Sequence, residues 1–130
     1  MGFITEEILI MKMDLIMLAN HFKEKRFQTC KSLLKENSAN IRLWLNFYQW
    51  CLYFEKYDEA DKIINVLLSN ERNIKNHNLF SLFYSYLIRH YMFSILFLNN
   101  SKYSLESLSA LIDTITVKLH LTLGNYIKRL

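Results

Sequence analysis

Histidines, cysteines and short acidic runs are the side chains in this sequence whose chemistry could serve catalysis or metal binding. The acidic runs, Glu6 with Glu7 and residues 58–61, are typical of the first turn of a helix, where carboxylates meet the positive end of the helix dipole. No HExxH motif and no cysteine–histidine ligand spacing occurs. We therefore predict no metal site. The histidines are scattered along the chain, at His21, His77, His90 and His120.

The remaining enzyme motifs are absent as well. The two glycines, Gly2 and Gly124, cannot build a GxxxxGK[ST] or GxGxxG phosphate loop, and no serine or cysteine sits in a nucleophile turn. We predict a non-enzymatic protein with no catalytic residue and no cofactor. Cys30 and Cys51 fall on apolar helix faces, which predicts buried thiols in a reducing compartment, the cytoplasm or nucleus.

A basic cluster is the most pronounced charge feature of a chain with a net charge of +4. Solvated surface lysines explain such a cluster, and steering of an acidic partner or contact with a nucleic-acid backbone is the alternative. No zinc-knuckle spacing or aromatic stacking motif supports nucleic-acid binding, so that partner is only a weak alternative. The cluster comprises Lys23, Lys25, Arg26, Lys31 and Lys35.

The elements that position these residues are helices. Proline is absent, glycine occurs only twice, and 52% of the residues are apolar, so the turn residues that a strand-rich fold needs are missing. We predict an all-α fold of about six helices, arranged as antiparallel hairpins in one domain, residues 1–130. The three helix pairs are expected at residues 5–36, 40–70 and 78–130.

Local signals predict the ends of several helices. Thr5 is the expected N-cap of a first helix over residues 6–23, whose apolar residues nearly encircle it and imply burial against several neighbours. An N-cap is expected at the end of residues 37–40, and Gly124 is expected to end the last helix.

The two C-terminal helices have different patterns. Residues 79–98 are long enough to cross a bilayer, but Arg89 and His90 at the centre would be costly there, so a buried or groove-lining helix is predicted instead of a membrane span. The last helix, residues 104–123, has one apolar seam, which indicates core packing or half of a helix–helix interface with another chain. The seam contains Leu105, Leu108, Ile112, Ile115 and Leu119.

An internal repeat with an offset of 30 residues relates the first two hairpins. Ala60 aligns with Cys30 and Tyr57 with Phe27. Ile64 likewise aligns with Leu34, and Cys51 with His21. Two degenerate copies of one helical hairpin are therefore predicted.

Residues 43–70 resemble a tetratricopeptide repeat, and they are about as similar to the half-a-TPR variant of RNA-processing proteins. Tyr48, Cys51, Glu55 and Leu67 depart from the motif, Glu55 at the turn glycine, and the proline is missing. The resemblance implies a right-handed helical stack that binds proteins. The positions that match the motif in type are Trp44, Phe47, Tyr57, Ala60 and Ile64.

Three narrower resemblances point to particular proteins within the helical-repeat class. A basic hairpin, then the IRLWLNF run, then a polar gap is similar to the repeat segment of the TPR-bearing subunit of the RNA polymerase I core promoter factor. The NERN stretch at residues 70–73 resembles the mitochondrial fission adaptor, and a peroxisomal docking subunit is a further resemblance. These imply, as alternatives, a transcription-initiation or RNA-processing subunit, or an organelle-membrane adaptor.

We predict a protein–protein interaction scaffold, a subunit or adaptor of a larger intracellular complex. The partner helix or peptide would bind a groove or edge formed by the first helices of each hairpin. Aromatic residues that the core does not absorb are the candidate anchors, and three basic residues would steer an acidic partner. These candidates are Trp50, Tyr53, Tyr84, Tyr86, Lys23, Lys25 and Arg26.

Overall fold

The computed structural model describes residues 3–19, 25–74, 76–98 and 102–128. Over these residues the chain is all-α, with six α-helices, one short 3₁₀ helix and no strand. It comprises two compact units, Met1–Asn70 and Glu71–Leu130. The first unit holds the two predicted hairpins, and the second holds the C-terminal helix pair. The helices are α1 (Phe3–Leu18), α2 (Arg26–Glu36), α3 (Ile41–Tyr53), α4 (Tyr57–Ser69), α5 (His77–Phe97) and α6 (Leu105–Lys128).

In the first unit, α1 packs against α2 and α3, and α3 packs against α4. The predicted N-cap of α3 is confirmed, because the Asn40 side chain accepts a hydrogen bond from the Leu43 backbone N–H at 3.1 Å. Apolar side chains from all four helices form the core. Its most completely buried members include Met13, Met17, Cys30, Leu43, Leu45, Phe47, Tyr48, Cys51, Ala60 and Ile64.

The turn between α3 and α4 places Glu55 in the left-handed region, at φ 58°. The Lys56 N–H donates to the Cys51 carbonyl at 2.7 Å, and the Glu55 N–H donates to the Leu52 carbonyl at 3.1 Å. These two bonds close a Schellman motif, whose left-handed position favours glycine. Glu55 therefore adopts a conformation that favours glycine, at a cost of about 1–2 kcal/mol for a side chain with a Cβ.

The positions related by the 30-residue offset share their burial. Cys30 and Ala60 are both fully buried. Leu34 and Ile64 are both buried, and the aromatic pair at the start of α2 and α4 is half-buried in both cases. The fourth aligned pair includes His21, which lies outside the described residues.

In the second unit, α5 packs against α6. Asn76 caps α5, because its side chain accepts hydrogen bonds from the backbone N–H groups of Asn78 and Leu79, the second and third residues of the helix. One face of α5 is buried, and His90 on that face lies 3.3 Å from the Tyr103 hydroxyl. The buried residues of this face are Phe83, Tyr84, Leu87, His90 and Ser94.

Three predicted helix ends are wrong, and one of them is the C-terminal end of α1, which lies at Leu18 rather than at residue 23. α1 begins at Phe3, so Thr5 lies inside the helix rather than at its N-cap. α6 continues through Gly124 to Lys128. A glycine inside a helix costs about 1 kcal/mol relative to alanine, which weakens the helix without ending it. The sequence contains no proline that would end the helix after Gly124.

The core interpretation of the α6 seam is wrong in part. Ile115 is buried, but Leu105 is 73% exposed and Ile112 is 41% exposed. Helical periodicity identifies an apolar face, and it cannot tell whether another helix covers that face. Among the described residues, no helix is both long and apolar enough to cross a membrane.

Candidate functional site

The candidate partner-binding residues are distributed over both compact units. Trp50, Tyr53, Lys25 and Arg26 lie in the first unit, and the two tyrosines of α5 lie in the second. Lys23 lies outside the described residues. Each group is therefore considered where the structure places it.

Trp50 contributes to the packing of α1 against α3. Its indole Nε1–H donates to Asp14 Oδ1 at 2.7 Å, and the amide of Asn46 donates to the same oxygen at 2.9 Å. The indole ring also stacks on Phe54, with centroids 5.7 Å apart and an interplanar angle of 18°. Trp50 is half-buried, and its polar atom is already satisfied within the first unit.

Arg26 belongs to the same cluster rather than to a basic surface. Its guanidinium carbon lies 3.5 Å from the centroid of the Phe54 ring, and its Nη1 donates to the Met17 carbonyl at 3.4 Å. A guanidinium over a ring face is a cation–π contact. We call Asp14, Trp50, Phe54 and Arg26 the inter-helix cluster, because it connects α1, α2 and α3.

The other members of the predicted basic cluster differ in environment. Lys31 Nζ lies 3.1 Å from Glu59 Oε1, which joins α2 to α4. Lys25 and Lys35 are exposed. Two of the cations are thus engaged within the fold, so the cluster is not a continuous stripe of solvated charge.

Tyr53 is the one candidate aromatic in the first unit that the core leaves outside. It is 73% exposed, although its ring contacts Trp50 and Phe54 edge-on. Tyr86 in α5 is half-buried. For these two residues a partner contact stays a prediction.

The expectation that the core leaves Tyr84 accessible is wrong, since only 2% of it is exposed. Its hydroxyl donates to a carboxylate oxygen of Glu71, and Lys118 Nζ lies 3.0 Å from the other carboxylate oxygen. Burial would raise the pKa of Glu71, but the hydrogen bonds from Tyr84 and Lys118 outweigh it and lower that pKa below 4.5. Burial and the Glu71 hydrogen bond raise the pKa of Tyr84 to about 12.

Glu71→Gln is expected to destabilise the second unit at neutral pH by about 0.5–1 kcal/mol, and to have no effect at pH values well below the Glu71 pKa. Because the folded-state pKa is lowered, the stabilisation is complete above 4.5 and is lost as the pH falls through the folded value. Hydrogen exchange of the α5 amides measures the difference. Asp113→Asn, which neutralises an exposed carboxylate in the interior of α6, is the control and should leave the stability unchanged at both pH values. Equal effects of both variants would contradict the assignment.

The outer face of α1 is a feature that the sequence did not reveal. Four large apolar residues of this helix are exposed, whereas Met13, Ile16 and Met17 on the opposite side are buried. The predicted burial of α1 against several neighbours therefore holds for one side, where α1 packs against α2 and α3, and the other side is exposed. The exposed residues are Ile8 (57%), Met11 (61%), Leu15 (70%) and Leu18 (64%), and we call them the α1 outer face.

The cysteines lie in the core as predicted, and the structure describes both as unpaired thiols. Burial, with a smaller contribution from Asp14, raises the pKa of Cys30 to about 11. Burial also raises the pKa of Cys51 to about 12. Thiols with such pKa values form little thiolate at neutral pH, which does not favour a nucleophile. Within the described residues, no three histidine, cysteine or acidic side chains are grouped in a way that could hold a metal ion.

Comparison of this chain with protein-family models, with curated proteins and with solved structures finds no match. The resemblance of residues 43–70 to a tetratricopeptide repeat accordingly stays a prediction, and the function is argued from the surface of the chain itself.

Proposed function

We propose that this chain is a non-enzymatic interaction subunit that binds an amphipathic helix of a partner protein along the α1 outer face. The observation that carries the proposal is the exposure of Ile8, Met11, Leu15 and Leu18 on one side of one helix. Scattered exposed apolar residues need no explanation, but a contiguous stripe of them is characteristic of an interaction site.

The spacing of the stripe favours a helix as the occupant. The four residues follow one another at intervals of three, four and three, which is the spacing of the a and d positions of a two-helix seam. Lys12 is exposed on the border of this seam. The partner helix is therefore expected to carry an apolar a/d seam of its own and an acidic residue facing Lys12.

This location refines the prediction that the first helices of each hairpin form an edge for a partner. α3 is the first helix of the second hairpin, and its apolar residues Leu43, Leu45 and Phe47 are buried. Among the described side chains of α1 and α3, the exposed aliphatic ones are thus those of the α1 outer face, and α3 adds the exposed aromatic ring of Tyr53. The basic cluster offers less support for a nucleic-acid ligand, because Arg26 and Lys31 make contacts within the fold.

Leu15→Glu is expected to weaken partner binding by about 30-fold or more, which corresponds to about 2 kcal/mol for a central apolar contact. Val66→Glu is the matched control, because it places the same charge at an exposed apolar residue of α4. Tagged wild-type protein and both variants are used to capture proteins from native cell extract at low and high salt. The retained protein is then purified, and its affinity for each variant is measured by calorimetry.

A protein retained at high salt by wild type and Val66→Glu, and lost with Leu15→Glu, supports the proposal. Equal retention by all three proteins would place the partner elsewhere on the chain. Retention of nucleic acid alone, lost at high salt, would overturn the proposal in favour of the basic cluster.

A further inference from the structure

A groove of about 520 Å³ lies on a different part of the first unit, among α2, the start of α3, and α4. None of its lining residues belongs to the α1 outer face, so an inference from it goes beyond the proposed function. The lining includes Lys31, Ser32, Leu34, Lys35, Trp44 and Ile63.

The floor of the groove is apolar. Leu34 and Ile63 are buried core residues that reach this surface, with 2% and 7% of their area exposed. The indole Nε1–H of Trp44 donates to the Ser38 carbonyl at 3.0 Å, so the polar atom of this side chain is satisfied and its ring offers apolar surface. An apolar side chain that displaces water from this floor lowers the free energy of the complex.

The rim of the groove is positively charged along α2. Lys31 and Lys35 are one helical turn apart, and both line the groove. Lys31 forms an ion pair with Glu59, and Lys35 is exposed. The two lysines and the Glu59 carboxylate together leave a net positive charge at the rim, which favours an acidic ligand over a basic one.

We propose that this groove binds an acidic peptide segment of a partner protein. One large apolar side chain of the segment would pack against Leu34, Trp44 and Ile63, and carboxylates next to it would face Lys31 and Lys35. A ligand that matches this groove carries an apolar side chain for the floor and carboxylates for the lysines of the rim. A ligand with only one of these groups would leave either the apolar floor or the lysines without a complementary contact.

The chain provides its own internal reference for the test. It has two tryptophans, Trp44 in the groove and Trp50 in the inter-helix cluster, and each gives one indole N–H signal in a ¹⁵N-labelled sample. The probe is a synthetic peptide with one leucine flanked by glutamates. Binding in the groove should shift the Trp44 signal and leave the Trp50 signal in place.

Two control peptides separate the two halves of the ligand. In one the leucine is replaced with serine, and in the other the glutamates are replaced with lysines. Both are expected to bind at least about tenfold more weakly, since each loses one of the two complementary contacts. Equal binding of either control would overturn the proposed ligand chemistry.

A matched pair of variants tests the location. Lys35→Glu is expected to weaken peptide binding by about threefold to tenfold. Lys62→Glu makes the same change in net charge at an exposed lysine of α4 outside the groove lining, and it should leave the affinity unchanged. Both lysines are exposed, so neither variant removes a core contact, and circular dichroism is used to check that both remain folded.

Three further outcomes would overturn the proposal. The first is no shift of the Trp44 signal up to about 1 mM peptide, the weakest affinity that a specific contact of this kind would have. The second is equal weakening by Lys35→Glu and Lys62→Glu, which would indicate a general charge effect. The third is a Trp44 shift by a single-stranded oligonucleotide and not by the peptide, which would assign the rim to nucleic acid.

Discussion

Trp50→Ala is expected to lower the free energy of unfolding of the first unit by about 2–3 kcal/mol, below the value for a fully buried tryptophan because this side chain is half-buried. The substitution removes the stacking on Phe54 and leaves Asp14 with only Asn46 as the donor described for its Oδ1 atom. Urea denaturation followed by the fluorescence of Trp44, the other tryptophan of the same unit, measures the loss.

Two variants sharpen this prediction. Tyr53→Ala removes a neighbouring aromatic ring that is 73% exposed, and it should change the stability by no more than about 0.5 kcal/mol. Trp50→Phe keeps an aromatic ring and deletes the indole N–H, so it should fall between wild type and Trp50→Ala. If Trp50→Ala is as stable as Tyr53→Ala, the indole is a surface group and returns to the list of partner contacts.

Arg26→Ala is expected to destabilise the first unit by about 1–2 kcal/mol, through loss of the cation–π contact with Phe54 and of the packed aliphatic stem. The same fluorescence-detected denaturation measures this effect. Lys25→Ala is the matched control, because Lys25 is the adjacent basic residue and is exposed. Its stability should stay within about 0.5 kcal/mol of wild type.

Arg26→Met separates the two contributions of the arginine. Methionine retains an apolar stem over the Phe54 ring and lacks the charge, so full recovery of stability would show that packing alone matters. Partial recovery is expected, since the guanidinium carbon lies only 3.5 Å from the ring centroid. An Arg26→Ala protein as stable as Lys25→Ala would show that Arg26 contributes no more to the fold than a surface lysine does.

The all-α class and most helix positions follow from local properties of the sequence. The absence of proline, the N-cap at Asn40 and the break after Phe54 act within a few residues, and local hydrogen bonds and backbone geometry decide them. The burial of Cys30 and Cys51 was predictable for a similar reason, because each shares a helix face with apolar residues three or four positions away, such as Leu34 for Cys30 and Phe47 for Cys51.

Only the tertiary structure decided which polar and aromatic side chains are available. Trp50, Arg26 and Tyr84 look like surface anchors in sequence, but each finds its partners in residues distant along the chain, Asp14, Met17 and Glu71 among them. Sequence spacing carries no information about such pairings.

The α1 outer face and the groove lined by Trp44 and Lys35 were likewise decided only by the tertiary structure. In α1 apolar residues nearly encircle the helix, so periodicity cannot say which side the core covers. The packing of α2 and α3 against one side of α1 leaves the α1 outer face exposed on the other side. The sequence by itself thus determined that this protein is built of helices and where most of them begin and end. Tertiary packing decided which of their faces meet solvent, because burial depends on the position of neighbouring helices.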